Sequence, residues 1–279
     1  MFPQVANPLE MQSLNTYYCL ICRLNYQRGL GLRIKDESMS PDKGYYTYDK
    51  IDGVNASHGG KTRIAAFDFD GTSIDGSSPT QLVFHLWKND MLSKTDALRI
   101  GLWALRYKFR LPQDEASVRG IVFRAFEGKP VEEVDQFLYD FYDSVIEPRF
   151  RIAADAAMER HRMAGDVVLI ISATFEPIAR RAMEFHPIDG QVSTRMKTRD
   201  GCYTREVDGK PVEGAEKLVA IKQWCDAKFG EGNWELAYAY GDHHSDRLML
   251  DAAEHAFAVN PDHPLSRSAK AKNWNVLEW

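Results

Sequence analysis

One pattern constrains this chain more than any other: short apolar runs that end abruptly in small or acidic residues. Ile64-Ala-Ala-Phe67 runs into Asp68-Phe69-Asp70-Gly71-Thr72, and Val167-Val-Leu-Ile-Ile171 runs into Ser172-Ala-Thr174. Leu236-Ala-Tyr-Ala-Tyr240 runs into Gly241-Asp242-His-His-Ser-Asp246, and Ala256 to Val259 has the same texture. Runs this short, without polar alternation, suit strands buried on both faces. Helical patterns separate them, from Ile178 to Phe185 and from Glu216 to Phe229, the latter with Leu218, Ile221 and Trp224 on one face. The alternation predicts an α/β fold, a doubly wound parallel sheet. Ligands of such sheets bind beyond the carboxyl ends of the strands, so the polar clusters are the residues to read.

A second constraint is the distance between the first two strands. Ser78-Pro79 supplies an N-cap and an N1 proline, followed by Leu82, Val83, Leu86 and Trp87 at helical spacing. Ser93-Lys-Thr-Asp96 fits a capping box ahead of Leu98, Leu102 and Leu105. Val118, Ile121, Val122 and Ala125 form a third stripe, and Val134, Phe137, Leu138, Phe141 and Val145 a fourth. One βα crossover needs one helix, so the surplus reads as a helical insertion. The expected division is an N-terminal extension over 1–61, a core over 62–78 and 160–279, and a helical domain over 79–159.

The extension resists assignment. Cys19-Leu-Ile-Cys22 has metal or redox spacing, but no second close pair completes a zinc site, and coincidence is the simpler reading. Gly59-Gly60-Lys61-Thr62 mimics the end of a phosphate-binding loop, yet Asn55 stands where that loop needs its first glycine, and the run precedes a strand. Charge adds an exclusion: 35 basic against 40 acidic residues leave −5, giving no global pull toward nucleic acid. No stretch reaches the ~18–20 apolar residues of a membrane span. Ala97 to Phe109 could lie on a membrane surface, although burial against neighbouring helices explains that stripe more simply. A cytoplasmic protein is expected, with its oligomeric state open.

Each polar cluster has a plain structural explanation when taken alone. Asp68-x-Asp70 could be a turn, Ser172 a helix cap, Lys217 a solvated lysine, and Asp242 and Asp246 caps for the helix at Ser245. A calcium loop is excluded, because Thr72, Ser73 and Pro79 stand where acid, glycine and glutamate are required. Together, at strand ends and in this order, they resemble the haloacid dehalogenase superfamily. Phe67-Asp68-Phe-Asp70-Gly-Thr72 matches its first motif, Ser172 its second, Lys217 its third and Gly241-Asp242-x-x-x-Asp246 its fourth. The insertion matches a C1-type cap, and the hairpin-like stretch from Arg195 to Gly214 resembles the phosphoserine-phosphatase-like branch, subfamily IB.

That resemblance implies a Mg²⁺-dependent hydrolase of a small phosphomonoester. Asp68 would be the nucleophile and Asp70 the general acid and base. The side chains of Asp68 and Asp242 and the carbonyl of Asp70 would hold the cation, with Asp246 supporting them. Ser172 and Lys217 would contact the phosphoryl group. Thr72, Ser77, Arg119 and Arg124 are the candidates for further substrate contacts. The second acid of the first motif separates phosphomonoester chemistry from C–Cl or C–P cleavage, where no alkoxide needs a proton.

The chain departs from phosphoserine phosphatases at Ser77, where a glutamate would meet the substrate ammonium. A neutral hydroxyl cannot replace that ion pair, which argues against phosphoserine as the substrate. His243 and His244 are a second departure, read either as a surface loop or as an imidazole facing the substrate. Two alternatives stay open: a phosphotransferase using the same intermediate, and a non-catalytic phospho-ligand sensor. The intact Asp68–Asp70 pair counts against the sensor.

Overall fold

The computed structural model describes residues 60–92, 95 and 115–279. Readings that fall elsewhere (the extension up to residue 59, the Cys19/Cys22 pair, the Ser93 capping box and the Ala97–Phe109 stripe) lie outside the described residues.

The apolar runs form the centre of one six-stranded sheet. In chain order its strands are β1 (Thr62–Asp68), β2 (Val167–Phe175), β3 (Gly190–Thr194), β6 (Trp234–Gly241), β7 (His255–Val259) and β8 (Asn275–Leu277). Their spatial order is β3-β2-β1-β6-β7-β8, and every pairing is parallel. The chain therefore winds outward from β1 in one direction, then restarts at β6 and winds outward in the other. The reversal between β1 and β6 opens a crevice at their carboxyl ends, where no connection crosses the sheet edge. Asp68 closes β1 and Asp242 follows β6, so the topology brings these two carboxylates together.

Burial on both faces accounts for the unbroken apolar runs. Val167 to Ile171 are each completely buried, and Phe67 stacks on Tyr240 of the next strand at 4.1 Å between centroids. The covering helices are α4 (Ile152–Met163), α5 (Glu176–Phe185), α6 (Ala215–Phe229), α7 (Arg247–Ala252) and α8 (His263–Lys272). α4 buries Ala154, Ala157 and Met158 and packs on β2, so residue 159 falls inside a helix that lies on the sheet. β4 (Met196–Arg199) and β5 (Cys202–Val207) form a separate antiparallel hairpin. That hairpin is the stretch singled out between Arg195 and Gly214.

The insertion between β1 and β2 is helical where it is described. α1 (Ser78–Lys88), α2 (Glu115–Phe126) and α3 (Val131–Phe141) are followed by a π turn (Tyr142–Ile146) and a 3₁₀ turn (Glu147–Arg149). Its entry and exit run side by side: Ile74 bridges Phe150, Asp75 N–H donates to Arg149 O at 2.9 Å, and Arg151 N–H to Ser73 O at 2.9 Å. The far side rests on the hairpin, through Gly128 N–H to Tyr203 O at 2.9 Å and Val131 N–H to Gly201 O at 3.0 Å.

Two details differ from the sequence pattern. Ser77, not Ser78, is the N-cap of α1, and its side chain makes no capping bond. Ser78 is instead hydrogen-bonded to Thr174, Oγ to Oγ1, at 2.6 Å, fully buried against β2. Trp87 is 60% exposed although Leu82, Val83 and Leu86 are buried. At about 100° per residue it sits roughly 90° around the helix from the centre of that face. Among the described residues no helix is long and apolar enough to cross a membrane.

Candidate active site

The crevice at the switch point is a cleft of about 480 Å³. Its lining includes Asp68, Asp70, Ser172, Lys217, Asp242 and Asp246, so four separate polar clusters of the sequence converge on one space. β1 delivers Asp68 at its last residue, and the chain then turns sharply. Ser73 Oγ donates to Asp68 O at 2.6 Å, Ser73 N–H to Phe69 O at 2.9 Å, and Gly71 N–H to Gly76 O at 2.9 Å. The turn folds Asp70 back under α1, where Ser78 N–H donates to its Oδ1.

Lys217 ties the floor together. Its ammonium donates to Asp68 Oδ1 at 2.6 Å and to Asp246 Oδ1 at 2.5 Å, with all three side chains nearly excluded from solvent. Burial alone would discharge the lysine, but the Asp246 and Asp68 carboxylates outweigh it and hold Lys217 protonated, with its pKa raised. Asp68 is pushed well up by burial, assisted by Asp246 and Asp242 and opposed by Lys217. Burial and Asp246 bring Asp242 to about 6, and burial brings Asp70 to about 7 against the pull of the Ser78 N–H.

Those upward shifts say that one lysine does not balance the carboxylates around it. Oxygens of Asp68, Asp242 and Asp246 lie within 4.8 Å of one another, a donor set of hard oxygens alone. A small divalent cation such as Mg²⁺ fits that chemistry. Asp246 has both oxygens engaged, Oδ1 by Lys217 and Oδ2 by the His243 N–H at 3.3 Å. Asp242 accepts from Thr72 Oγ1 at 3.1 Å through Oδ1 and also meets the Asp68 carboxyl. The division favours Asp68 and Asp242 as side-chain ligands and Asp246 as their support.

Two candidates for substrate contact stand elsewhere. Thr72 is completely buried and spends its hydroxyl on Asp242, so it positions a carboxylate and does not line the cleft. Arg124 is not among the lining residues either. Ser77 and Arg119 do line it. Arg119 is already engaged, by a carboxylate that sequence reasoning missed: Glu213 accepts from both of its terminal nitrogens at 3.1–3.3 Å. Nothing in the local sequence marks Glu213 except its place one turn before Lys217. His243 also lines the cleft, with Nδ1 3.0 Å from Ser245 Oγ, whereas His244 lies outside and pairs with Asp262 at 3.1 Å.

Gly71 shows how tightly the floor is built. Its φ is +79°, and a Cβ there would lie 2.2 Å from Asp242 Oδ2. Gly71→Ala is expected to cost about 1–3 kcal/mol of backbone strain and to push Asp242 aside. The measurable outcome is a rise of at least about tenfold in the Mg²⁺ concentration for half-maximal binding, read by calorimetry. Unchanged Mg²⁺ binding would remove Asp242 from the ligand set.

Comparison with known proteins agrees with this geometry. Residues 65–251 match the family model described as haloacid dehalogenase-like hydrolase. A histidinol-phosphatase of Neisseria meningitidis serogroup C is 29% identical over 224 residues, spanning 77% of this chain and 98% of its own. A phosphoserine phosphatase of Mycobacterium tuberculosis is 27% identical over 224 residues, 78% of this chain and 71% of its own. A solved structure from Bordetella pertussis Tohama I, of unknown function, superposes with a TM-score of 0.69 at 25% identity, covering 78% of this chain and 98% of that one. The matched segment holds Asp68, Asp70, Ser172, Lys217, Asp242 and Asp246 alike, and the chain belongs to the haloacid dehalogenase-like hydrolase family.

Proposed function

We propose that this phosphatase hydrolyses a small phosphomonoester in two steps, through an aspartyl-phosphate on Asp68 and with Mg²⁺ as cofactor. The observation that carries the reading is the pairing of unlike carboxyls in one cleft. Asp68 is held against a protonated lysine, while Asp70, two residues on, is held near neutrality at about 7. One is placed to attack and the other to exchange a proton at physiological pH.

In the first step an Asp68 carboxylate oxygen forms a bond to phosphorus as the P–O bond to the alcohol breaks. The Asp70 carboxyl gives its proton to the departing alkoxide. In the second, Asp70, now a carboxylate, takes a proton from water whose oxygen attacks the same phosphorus. That attack releases phosphate and restores Asp68. Lys217 keeps a positive charge beside the closing carboxylate and phosphate. Ser172 Oγ accepts from the Thr174 N–H at 3.0 Å, which leaves its own proton for a phosphoryl oxygen. Bound through Asp68, the Asp70 carbonyl and Asp242, Mg²⁺ would neutralise charge on the phosphoryl oxygens.

The helical insertion over the cleft would limit water during attack and set the choice of substrate. We place this activity in the cytoplasm. The names of the meningococcal and mycobacterial relatives make histidinol phosphate and phosphoserine natural members of a test panel, alongside phosphorylated sugars, polyols and amines. The expected outcome is Mg²⁺-dependent phosphate release from at least one of them, abolished by EDTA and restored by Mg²⁺. Release from none would overturn the reading. Phosphorylation of an added alcohol at the expense of free phosphate would turn it to a transferase.

A further inference from the structure

Among the described residues, apart from the floor carboxylates and Lys217, the charged residues lining the cleft are Arg119 and Glu213, with half-exposed His243 the remaining titratable group. Arg119 rises from α2 of the insertion and Glu213 from the segment leading into α6 of the core, 94 residues apart. The guanidinium side chain is only 13% exposed, so little of its charge is met by water. Glu213 meets it instead, with Nη1 to Oε2 at 3.2 Å and Nη2 to Oε1 and Oε2 at 3.3 and 3.1 Å. The Glu213 main chain is fixed as well: its N–H donates to Pro211 O, and Glu216 N–H donates to its carbonyl oxygen, each at 3.0 Å. Ser77 and Thr80, two neutral residues that also line the cleft, are bonded to each other, Thr80 Oγ1 donating to Ser77 Oγ at 3.1 Å.

We infer that Glu213 sets substrate choice by occupying Arg119, so that the cleft disfavours phosphomonoesters carrying a carboxylate and accepts those without one. The inference rests on the phosphomonoesterase reading above and adds the class of substrate. A substrate carboxylate approaching Arg119 would have to displace an anion already fixed in a two-nitrogen grip, and would meet its repulsion on the way. An alcohol or an ammonium group meets no such penalty. With three of them taken by Arg119, one of the roughly four lone-pair directions of the Glu213 carboxylate stays available to an ammonium. The preference therefore comes from an occupied cation, and removal of the occupant should reverse it.

Phosphoethanolamine and phosphoserine differ by one carboxylate, and both can be titrated as competitors of p-nitrophenyl phosphate hydrolysis by the full chain with Mg²⁺. The wild type is expected to bind phosphoethanolamine the more tightly. Glu213→Gln frees the guanidinium and should lower the Ki of phosphoserine by about 10- to 100-fold, the value of a charge-assisted hydrogen bond in a sheltered site. The Ki of phosphoethanolamine should stay level or rise. Adding Arg119→Gln to Glu213→Gln should erase the gain, and Glu213→Asp should keep the wild-type order. A gain that persists without Arg119, a Ki for phosphoserine that stays put, or equal movement of both competitors would overturn the inference. So would a wild type that binds neither. Absence of p-nitrophenyl phosphate hydrolysis would instead strike the phosphomonoesterase reading itself.

Discussion

Asp68→Asn is expected to lower kcat by about 10⁴-fold or more on every phosphomonoester, the scale of losing a covalent nucleophile. The amide is nearly isosteric with the carboxylate, and its oxygen can still accept from Lys217, so the fold should persist. Stability adds a second, opposite expectation. The folded protein pushes the Asp68 pKa up, first through burial and then through Asp246 and Asp242. A carboxyl whose folded pKa lies above its unfolded value is harder to ionise in the folded state, so its charge weakens folding at neutral pH. The neutral amide removes that charge, and without divalent cations the variant's unfolding midpoint should match or exceed that of the wild type. Loss of activity with gain of stability is the signature of a residue kept for chemistry. Acid-quenched wild type should carry phosphate on the peptide containing Asp68, and the variant none. Turnover by the variant above about 1% of wild type, with phosphate trapped on another residue, would move the nucleophile elsewhere.

How much of this was legible beforehand depended on whether the signal was local. β1, β2 and β6 announced themselves because burial on both faces demands unbroken apolar residues, as Val167 to Ile171 show. β3 did not. It reads Gly-Gln-Val-Ser-Thr, with Gln191, Ser193 and Thr194 buried, and Gly190 stands where a Cβ would lie 2.5 Å from the Trp224 ring. Its place at the sheet edge comes from packing that no window of five residues contains. α8 was missed for another reason: its apolar face is only Leu265 and Ala269, though Asp262 accepting from Leu265 N–H at 2.7 Å ahead of Pro264 was a readable start. Among the residues that line the cleft, Asp68, Asp70, Ser172, Lys217, Asp242 and Asp246 were legible from their place at strand ends and the start of a helix. Thr72 was found but given the wrong neighbour, because spacing alone does not tell a hydroxyl that faces the cleft from one turned toward Asp242. Glu213 was invisible, since its meaning lies in Arg119, 94 positions away.

Asp70→Asn separates the two chemical steps, and its effect should depend on the leaving group. Burial holds the Asp70 carboxyl at about 7 in the metal-free cleft, with the Ser78 N–H pulling down and Asp68 pushing up. Both protonation states are then accessible near neutrality, as an acid that must later serve as base requires. For an alkyl phosphate the alkoxide cannot leave without a proton, and loss of the acid should lower kcat by about 10²- to 10⁴-fold. p-Nitrophenolate needs no proton to leave. With that ester the first step should survive, giving a burst of about one nitrophenolate per active site. Slow turnover should follow, because no base remains to activate water for the aspartyl-phosphate. The pH profile of the wild type should carry the same asymmetry. As pH rises through the Asp70 pKa the acid form is lost, so kcat/KM for an alkyl phosphate should fall about tenfold per pH unit on that limb. A bound cation favours the carboxylate, so the limb of the loaded enzyme should begin at or below about pH 7. The aryl ester should lack it. Stopped-flow and steady-state assays on the two esters decide the matter. An equal loss on both, with no burst, would mean that Asp70 holds the nucleophile in place and moves no proton.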